Sequence, residues 1–314
     1  MLHPDDCTPR ISICVCTFRR PGLLKQLLCD LGKLETVGIT HEVEIIVADN
    51  DPANSAKPVL ESWQATAPFS LTTLHVPVAN ISLARNATVA AATGQWIAFI
   101  DDDETPQSDW LLRLMSTQQQ FQADAVFAPV LPRYVPGTPK WIIDGGYFER
   151  RRFKTGSPID ERDTRTGNVL ISVKLLRSLP GPFDTEFGRT GGEDSLLFRD
   201  LLARGAKFIW CDEAPVEEDV PLDRATATWL LRRAYRIGQT WIRAELHRRE
   251  GINRTVRASY LLSRASIQLL ISLLLAAVTA IVSNTRSFEW LRKAASQAGK
   301  LTGMSKFQFK EYGN

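Results

Sequence analysis

Cysteine is scarce in this 314-residue chain, and its few cysteines lack the spacing of a metal site. Cys14 and Cys16 stand two apart in an apolar run that is expected to form a strand. An odd number of cysteines without a paired pattern argues against a disulfide framework. We therefore predict reduced core thiols for the whole set: Cys7, Cys14, Cys16, Cys29 and Cys211.

The start of the sequence shows no pattern of a secretory signal, and the chain shows no internal repeat. Residues 1–6 carry neither a positively charged region nor an apolar stretch. Secretory signals need both features. We therefore expect the main domain to stay in the cytosol.

Acidic residues are rare in the last third of the chain. Residues 1–223 carry 22 Lys and Arg against 31 Asp and Glu, a balance of −9, whereas residues 224–314 carry 16 against 4, a balance of +12. The composition, 44% apolar and 23% charged, is that of a globular protein. The basic last third is therefore expected to form a region of its own.

Apolar runs of strand length alternate with helical patterns in the first part of the chain. The pattern predicts strands at residues 11–17, 43–48, 71–76 and 96–100, and helices at 23–31, 58–65, 81–93 and 110–122. Such alternation predicts an α/β fold with a mainly parallel sheet covered by helices. Further on, it predicts strands at 167–172 and 207–211, a helix at 195–203, and a mobile loop in the proline-rich and charged segment 129–165.

Three adjacent aspartates, Asp101, Asp102 and Asp103, follow the fourth predicted strand. Their charges repel one another unless a cation lies among them, and oxygen ligands suit Mg²⁺ or Mn²⁺. Thr17 and Asp49 also fall at strand ends, where parallel sheets bind ligands. The alternative for the triplet is a solvated acidic loop.

Glu193 and Asp194 follow two glycines and precede an apolar helical run. This pattern fits a general base at the mouth of a cleft, and it fits a plain helix cap equally well. The spacing alone does not separate the two interpretations.

Taken in order, these motifs resemble the family 2 glycosyltransferases of the GT-A fold. The resemblance covers about residues 10–240 and is closest to the bacterial exopolysaccharide glucosyltransferases of the succinoglycan type. Its motifs are Ile13–Pro21 with Cys-Thr-Phe-Arg-Arg, Val47-Ala-Asp49-Asn50, Ala84-Arg85-Asn86, Phe99–Pro106 with the aspartates, and Gly192-Glu193-Asp194.

The resemblance implies an inverting, metal-dependent transferase that takes its sugar, most readily glucose, from a UDP-sugar. The donor would contact Thr17, Arg19, Asp49 (through the uracil ring), Arg85 (near the base or diphosphate), Asp101 and Asp102 (at the ribose and beside the metal). Asp103 would bind Mg²⁺ or Mn²⁺, Asp194 would be the catalytic base, and Asn168 and Glu193 would lie on the acceptor side. The implied regions are a nucleotide-sugar half (1–125), an acceptor half with the base (126–222) and a membrane-associated helical part (223–314).

Two other functions fit part of the pattern. Asp101-x-Asp103 after a strand also matches the opening motif of haloacid-dehalogenase-type phosphatases, although that motif belongs near the start of its fold and here two or three strand–helix units precede it. A metal- and nucleotide-binding module without catalysis is a third possibility. Asp194 argues against it.

The basic tail combines arginines with a long apolar segment. Arg232, Arg233 and Arg236 share one helical face, with Trp229 and Trp241 nearby. Nucleic-acid binding would suit the arginines alone. However, residues 265–282 carry no formal charge, and basic residues flank this segment, which favours a membrane surface.

We expect attachment in the plane of the membrane rather than a full crossing, at the cytoplasmic face of the bacterial inner membrane. A polyprenyl-diphosphate-linked acceptor could then meet the three arginines. The alternative for the tail is a helical hairpin buried on the catalytic domain.

Overall fold

A computed structural model describes residues 9–305 of the chain. The predicted strand–helix alternation is confirmed in the first half. Its elements are β1 (Arg10–Thr17), α1 (Pro21–Leu31), β2 (Glu42–Asp49), α2 (Lys57–Gln64), β3 (Ser70–His75), α3 (Ile81–Ala91), β4 (Trp96–Phe99), β5 (Glu104–Pro106) and α4 (Trp110–Phe121). Most boundaries lie within two residues of the predicted ones.

The second half contains short strands and three long helices. Its elements are β6 (Ala125–Phe127), β7 (Val130–Tyr134), α5 (Lys140–Asp144), β8 (Val169–Ser172), α6 (Val173–Arg177), α7 (Glu193–Ala203), β9 (Phe208–Trp210), β10 (Val216–Val220), α8 (Ala227–Leu246), α9 (Gly251–Ala280) and α10 (Asn284–Thr302). The segment predicted as a mobile loop contains β7 and α5, so that prediction is wrong in its secondary structure. Ile142 and Tyr147 anchor the segment in an apolar cluster.

A seven-stranded sheet in the order β3-β2-β1-β4-β8-β6-β9 forms the centre of the molecule. Every pairing in it is parallel except those of β8, which runs antiparallel to both β4 and β6. The predicted mixed, mainly parallel sheet is therefore confirmed. A second, three-stranded sheet has the order β5-β10-β7.

The strand order reverses between β1 and β4. Chain direction leads from β1 to β2 and β3 on one side and to β4 on the other. The carboxyl ends of such strands open a crevice in which α/β proteins bind their ligands. Thr17 ends β1 and Asp101 follows β4, so both stand at this crevice.

The cysteines of the described residues are free, and their burial differs from the prediction at one position. Cys14 and Cys211 are buried and Cys16 is partly buried, but Cys29 is exposed. Cys29 lies on the outer face of α1, since that helix buries Leu24, Leu27, Leu28 and Leu31. Cys7 lies outside the described residues.

Candidate active site

A single cavity of about 1120 Å³ brings together residues that are far apart in the chain. Its wall includes Thr17 and the three aspartates on one side and Glu193 and Asp194 on another. Asp103 and Asp194 therefore share one chamber. The elements of the basic tail close it: Arg232, Arg233 and Arg236 from α8, and Arg257 and Arg264 from α9.

Each of the three aspartates pairs with an arginine side chain. Arg20 Nη1 lies 2.8 Å from Asp103 Oδ2 and 3.2 Å from Asp102 Oδ1, and Arg85 Nη2 lies 3.6 Å from Asp101 Oδ1. Thr17 Oγ1 donates to Asp102 Oδ2 at 2.7 Å and so joins β1 to the loop after β4. Guanidinium groups thus supply part of the positive charge that the triplet requires.

The carboxyl groups after β4 remain crowded in spite of these arginines, and their charged forms are disfavoured. Burial, together with the neighbouring Asp103, raises the pKa of Asp102 to about 7. Burial and Asp101 raise the pKa of Glu104 well above its usual range. A bound cation would stabilise the charged forms of these carboxyl groups, which burial and mutual repulsion disfavour.

The donor atoms of this wall fit a hard divalent ion held together with a substrate. Within residues 9–305, no three His, Cys, Asp or Glu side chains are gathered as a closed ligand set. Magnesium is typically bound by one or two carboxylates plus substrate phosphate oxygens and water. Asp101, about half exposed, and Asp103, 17% exposed, both offer carboxylate oxygens to the cavity.

Glu193 lies in the cavity wall in an ion pair with Arg85. Arg85 Nη1 donates to Glu193 Oε1 at 2.5 Å, and both side chains are buried. Burial raises the pKa of Glu193 to about 7, against the opposing effect of Arg85. Its other oxygen, Oε2, is buried without a hydrogen-bond partner. The resemblance places Arg85 near the base or diphosphate of a donor, and here it contacts Glu193 and Asp101.

Asp194 occupies the first turn of α7 and lines the cavity. Its Oδ1 accepts the Ser195 N–H at 2.7 Å. The helix N-terminus favours negative charge at this position. Gly192, with φ 102°, precedes the helix in a left-handed conformation that only glycine adopts readily.

The loop before α7 is held on two sides. From the N-terminal end of α3, Asn80 Nδ2 donates to Thr185 O at 2.9 Å and Ser82 Oγ donates to Asp184 O at 2.8 Å. From α8, Thr240 Oγ1 donates to Thr190 O at 3.1 Å. Asp194 is thereby fixed with respect to the sheet and to the basic tail.

Three predicted site residues lie outside the cavity lining. Arg19 turns away at φ 56° and pairs with Asp51 at 3.1 Å. Asp49 is buried and accepts the backbone N–H groups of Asp51 and Ala56. The donor contacts of Arg19 and Asp49 stay predictions.

Asn168 is the third, and its place on the acceptor side likewise stays a prediction. It is fully buried, its Oδ1 accepts Trp110 Nε1–H at 2.7 Å, and its Nδ2 donates to Pro129 O and Ala214 O. These bonds tie β8 to the loops after β6 and β9. Its neighbours Thr166 and Gly167 line the cavity instead.

The cavity wall contains arginines beyond the predicted Arg232, Arg233 and Arg236, among them Arg150 and Arg165. Burial and the neighbouring Arg150 lower the pKa of Arg165 and of Arg233 to about 10. Arg233 also lies 5.2 Å above the Trp229 ring. Guanidinium groups crowded in this way favour a bound anion. Arg150 and Arg165 belong to the supposed loop, and no periodic pattern marked them.

Comparisons with known proteins identify the family of this chain. The model of the family "Glycosyl transferase family 2" matches residues 12–177. Succinoglycan biosynthesis protein ExoM of Rhizobium meliloti (strain 1021) is 32% identical over 299 residues, which cover 95% of this chain and 93% of that protein.

Solved structures with the same fold include two complexes. The mannosyltransferase PcManGT from Pyrobaculum calidifontis, in complex with GDP-Man and Mn²⁺, has a TM-score of 0.64 at 18% identity and covers 96% of this chain and 88% of its own. S. aureus TarS 1–349 in complex with UDP has a TM-score of 0.52 at 15% identity and covers 93% and 90%. At these identities the likeness concerns the fold.

Proposed function

This chain belongs to glycosyl transferase family 2, and from that premise we propose an inverting, metal-dependent enzyme that transfers a sugar from a UDP-sugar. Glucose is the proposed sugar, and the transfer is one step in the biosynthesis of a bacterial exopolysaccharide. The similarity to the succinoglycan biosynthesis protein of Rhizobium meliloti supports the pathway, and the UDP complex of TarS supports the nucleotide. The observation that carries the proposal is the single cavity shared by Asp103 and Asp194.

On the donor side, Asp103 would hold Mg²⁺ or Mn²⁺ with help from Asp101. The ion would supply charge stabilisation for the departing diphosphate, an effect of several kcal/mol in general. Thr17 fixes Asp102, which would contact the ribose. The Mn²⁺ in the PcManGT complex supports the choice of ion.

On the acceptor side, Asp194 is the proposed general base. It would take the proton of the attacking hydroxyl while the sugar–phosphate bond breaks on the opposite face. A positioned base accelerates such a step by roughly 10²–10⁴-fold. Glu193, fixed by Arg85 next to it, would keep the α7 N-terminus in place rather than touch the acceptor.

The acceptor is proposed to be a saccharide on a polyprenyl diphosphate. Arg232, Arg233 and Arg236 line the cavity from α8 and would bind its diphosphate. Attachment to the cytoplasmic face of the inner membrane would bring enzyme and acceptor together. In this arrangement residues 1–125 bind the donor, 126–222 carry the base, and 223–314 serve the membrane.

The phosphatase alternative finds no support. The matched family and the structural neighbour PcManGT are transferases. In addition, Asp101 and Asp103 each lie beside a guanidinium group. A phosphatase of this type would need Asp101 as an unhindered nucleophile and Asp103 as its acid.

Calorimetric titration with a panel of nucleotide sugars, with and without Mn²⁺, tests the proposal. We expect the tightest binding for a UDP-sugar, dependent on the metal and reduced by EDTA. Asp103→Asn should remove the metal-dependent part. Asp223→Asn, at an exposed residue outside the cavity lining, serves as the control. Metal-independent binding, or release of phosphate from a monoester, would overturn the proposal.

A further inference from the structure

Helix α9 has a broad apolar face that no other described element covers. It is 30 residues long and is, among residues 9–305, the one helix long and apolar enough to cross a membrane. Only 22% of the most apolar 18-residue segment of this helix is buried. The exposed face includes Ile267, Leu270, Leu274 and Val278, which are 54–69% exposed and recur at helical spacing.

The opposite face of α9 packs on α10, which runs back alongside it. Small residues, among them Ala265, Ser272 and Ala276, are buried in α9. Ser287 Oγ donates to Ala276 O at 2.8 Å near the turn between the helices. From this antiparallel register, Arg292 and Lys293 lie alongside the middle of the apolar part of α9.

Helix α10 is in turn fixed to the catalytic part of the molecule. Phe288 packs edge-on against Trp141 at 5.1 Å and Tyr147 at 5.3 Å between ring centroids. The Arg292 guanidinium lies 4.8 Å above the Tyr147 ring. The far end of the hairpin therefore rests on the globular domain.

These contacts exclude a crossing of α9 in the observed arrangement. A crossing would carry Arg292 and Lys293 to the middle of the bilayer, at a cost of about 2.5–3.5 kcal/mol each. It would also pull Phe288 out of its aromatic cluster. An orientation along the surface keeps both sets of contacts.

The same helix also lines the cavity. Arg257 and Arg264 of α9 belong to the cavity wall, and Arg257 Nη2 pairs with Glu245 at 2.7 Å. The arginines and the apolar face lie on adjacent sides of one helix. Residues 251–305 carry seven basic residues and one acidic residue, so this surface attracts negative charge.

We propose that α9 lies in the plane of an anionic lipid leaflet, with Ile267, Leu270, Leu274 and Val278 among the acyl chains. Arg257 and Arg264 then stand at the level of the head groups. The cavity mouth therefore opens at the membrane surface. The entry of a lipid-linked acceptor by this route rests on the proposed function, whereas the leaflet contact does not.

Vesicle co-sedimentation of the full chain tests the contact. We expect binding to vesicles of phosphatidylglycerol and phosphatidylcholine, and at least a tenfold loss of affinity in the triple variant Ile267→Gln, Leu270→Gln, Leu274→Gln. Val37→Gln is the control, because Val37 is a 92% exposed apolar residue in the loop between α1 and β2. A triple variant that binds as the wild type does would overturn the proposal.

Depth measurements separate the in-plane orientation from a crossing. Ile267 and Val278 are eleven residues apart, or roughly 16 Å along a helix. A fluorophore on Ile267→Cys or Val278→Cys, in a background with Cys7→Ser and Cys29→Ser, should be quenched equally by lipids brominated at one depth. Unequal depths would overturn the in-plane orientation.

Two further measurements complete the test. Light scattering without vesicles shows whether the face binds a second copy of the chain. A dimer that the triple variant abolishes, together with no binding to vesicles, would overturn the lipid assignment. Calorimetry of the triple variant with the UDP-sugar should match the wild type, so failure at the membrane is distinguishable from failure of the proposed transferase.

Discussion

At the scale of single residues, Asp194 carries the chemical step of the proposed reaction. Its side chain reaches the cavity from the first turn of α7. Asp194→Asn preserves the size of the side chain and removes the base, so kcat should fall by roughly 10²–10⁴-fold. Affinity for the UDP-sugar, measured by calorimetry, should stay within about twofold because the change removes no donor contact.

Asp200→Asn is the matched control for that variant. Asp200 belongs to the same helix and pairs with Arg248 outside the cavity lining. Its kcat should match the wild type. Equal losses of kcat in both variants would assign the effect to α7 as a structural element and contradict the role of Asp194.

The raised pKa of Glu193 should make the free energy of unfolding depend on pH. Burial raises its pKa to about 7 from 4.5, so the native state keeps a proton that the unfolded chain releases in this range. The stabilisation of the native state by protonated Glu193 is complete below pH 4.5, the pKa in the unfolded chain. It is lost as the pH rises to about 7, the pKa in the native state. The free energy of unfolding of the wild type, relative to Glu193→Gln, should therefore fall with pH by at most about 1.4 kcal/mol per unit.

Urea unfolding of both proteins between pH 5 and pH 8 measures this difference. We expect it to level off above about pH 7, since Glu193 is then ionised in both states. A difference that grows with rising pH would show that the ion pair with Arg85 outweighs burial.

Sequence alone could not choose between neighbouring residues at the site. Arg19 and Arg20 are adjacent, and the left-handed backbone of Arg19 decides that Arg20 reaches the aspartates. The family resemblance implies an acceptor contact for Asn168, whereas its amide nitrogen donates to two buried backbone carbonyls. Residue type and order predicted the aspartates and Asp194, whereas side-chain direction depends on backbone geometry that no motif records.

At the scale of helices, α8 and α10 touch backbone to backbone. A Cβ added to Gly299 would come within 1.9 Å of Tyr235 O, and one added to Gly238 within 2.0 Å of Ser296 O. Gly299→Ala should therefore destabilise the protein by about 1–3 kcal/mol through overpacking. Thermal unfolding followed by circular dichroism measures the loss.

Gly22→Ala is the control for this substitution. Gly22 lies in α1, and a Cβ there meets nothing within 4 Å. Alanine favours a helix over glycine by up to about 1 kcal/mol, so the control should be neutral or more stable. A Gly299→Ala variant as stable as this control would contradict the close contact.

Thr240 connects α8 to the loop before α7, the helix that carries the proposed base Asp194. Thr240→Val removes the hydrogen bond to Thr190 O and keeps the shape of the side chain. Such a bond contributes about 0.5–1.5 kcal/mol, equal to roughly a two- to tenfold effect on rate if it acts in the transition state. We expect kcat to fall and KM for the donor to stay unchanged.

Steady-state kinetics measure the changes in kcat and in KM separately, and Thr255→Val is the control. The Thr255 hydroxyl bonds to the Gly251 carbonyl of its own helix at 3.3 Å. A rise in KM with constant kcat for Thr240→Val would show that α8 affects donor binding and not the base.

Periodicity predicted the helices and the strands of the donor half, because each forms from contiguous residues. It could not give the order β4-β8-β6, since β8 enters antiparallel between strands more than 40 residues away in the sequence. The three-stranded sheet was missed for the same reason. Its strands are short, and charged residues such as Glu217 and Asp219 in β10 hide any apolar pattern.

At the scale of the molecule, charge is divided between an acidic catalytic part and a basic tail. This division should orient the protein on an anionic surface, with the tail toward the lipid. Raising the salt concentration from about 50 mM to about 500 mM should weaken binding to anionic vesicles, because the screening length falls below about 10 Å. Binding to neutral vesicles should change little, and equal salt dependence for both would contradict the electrostatic part.

The contact between Thr240 and Thr190 also bears on how the protein can be prepared. Helix α8 supplies both part of the cavity wall and a hydrogen bond to the loop before α7. A shortened version that stops before Ala227, made to improve solubility, would lose both at once. Detergent or lipid discs around the whole 314-residue chain are therefore the better starting material for enzymology.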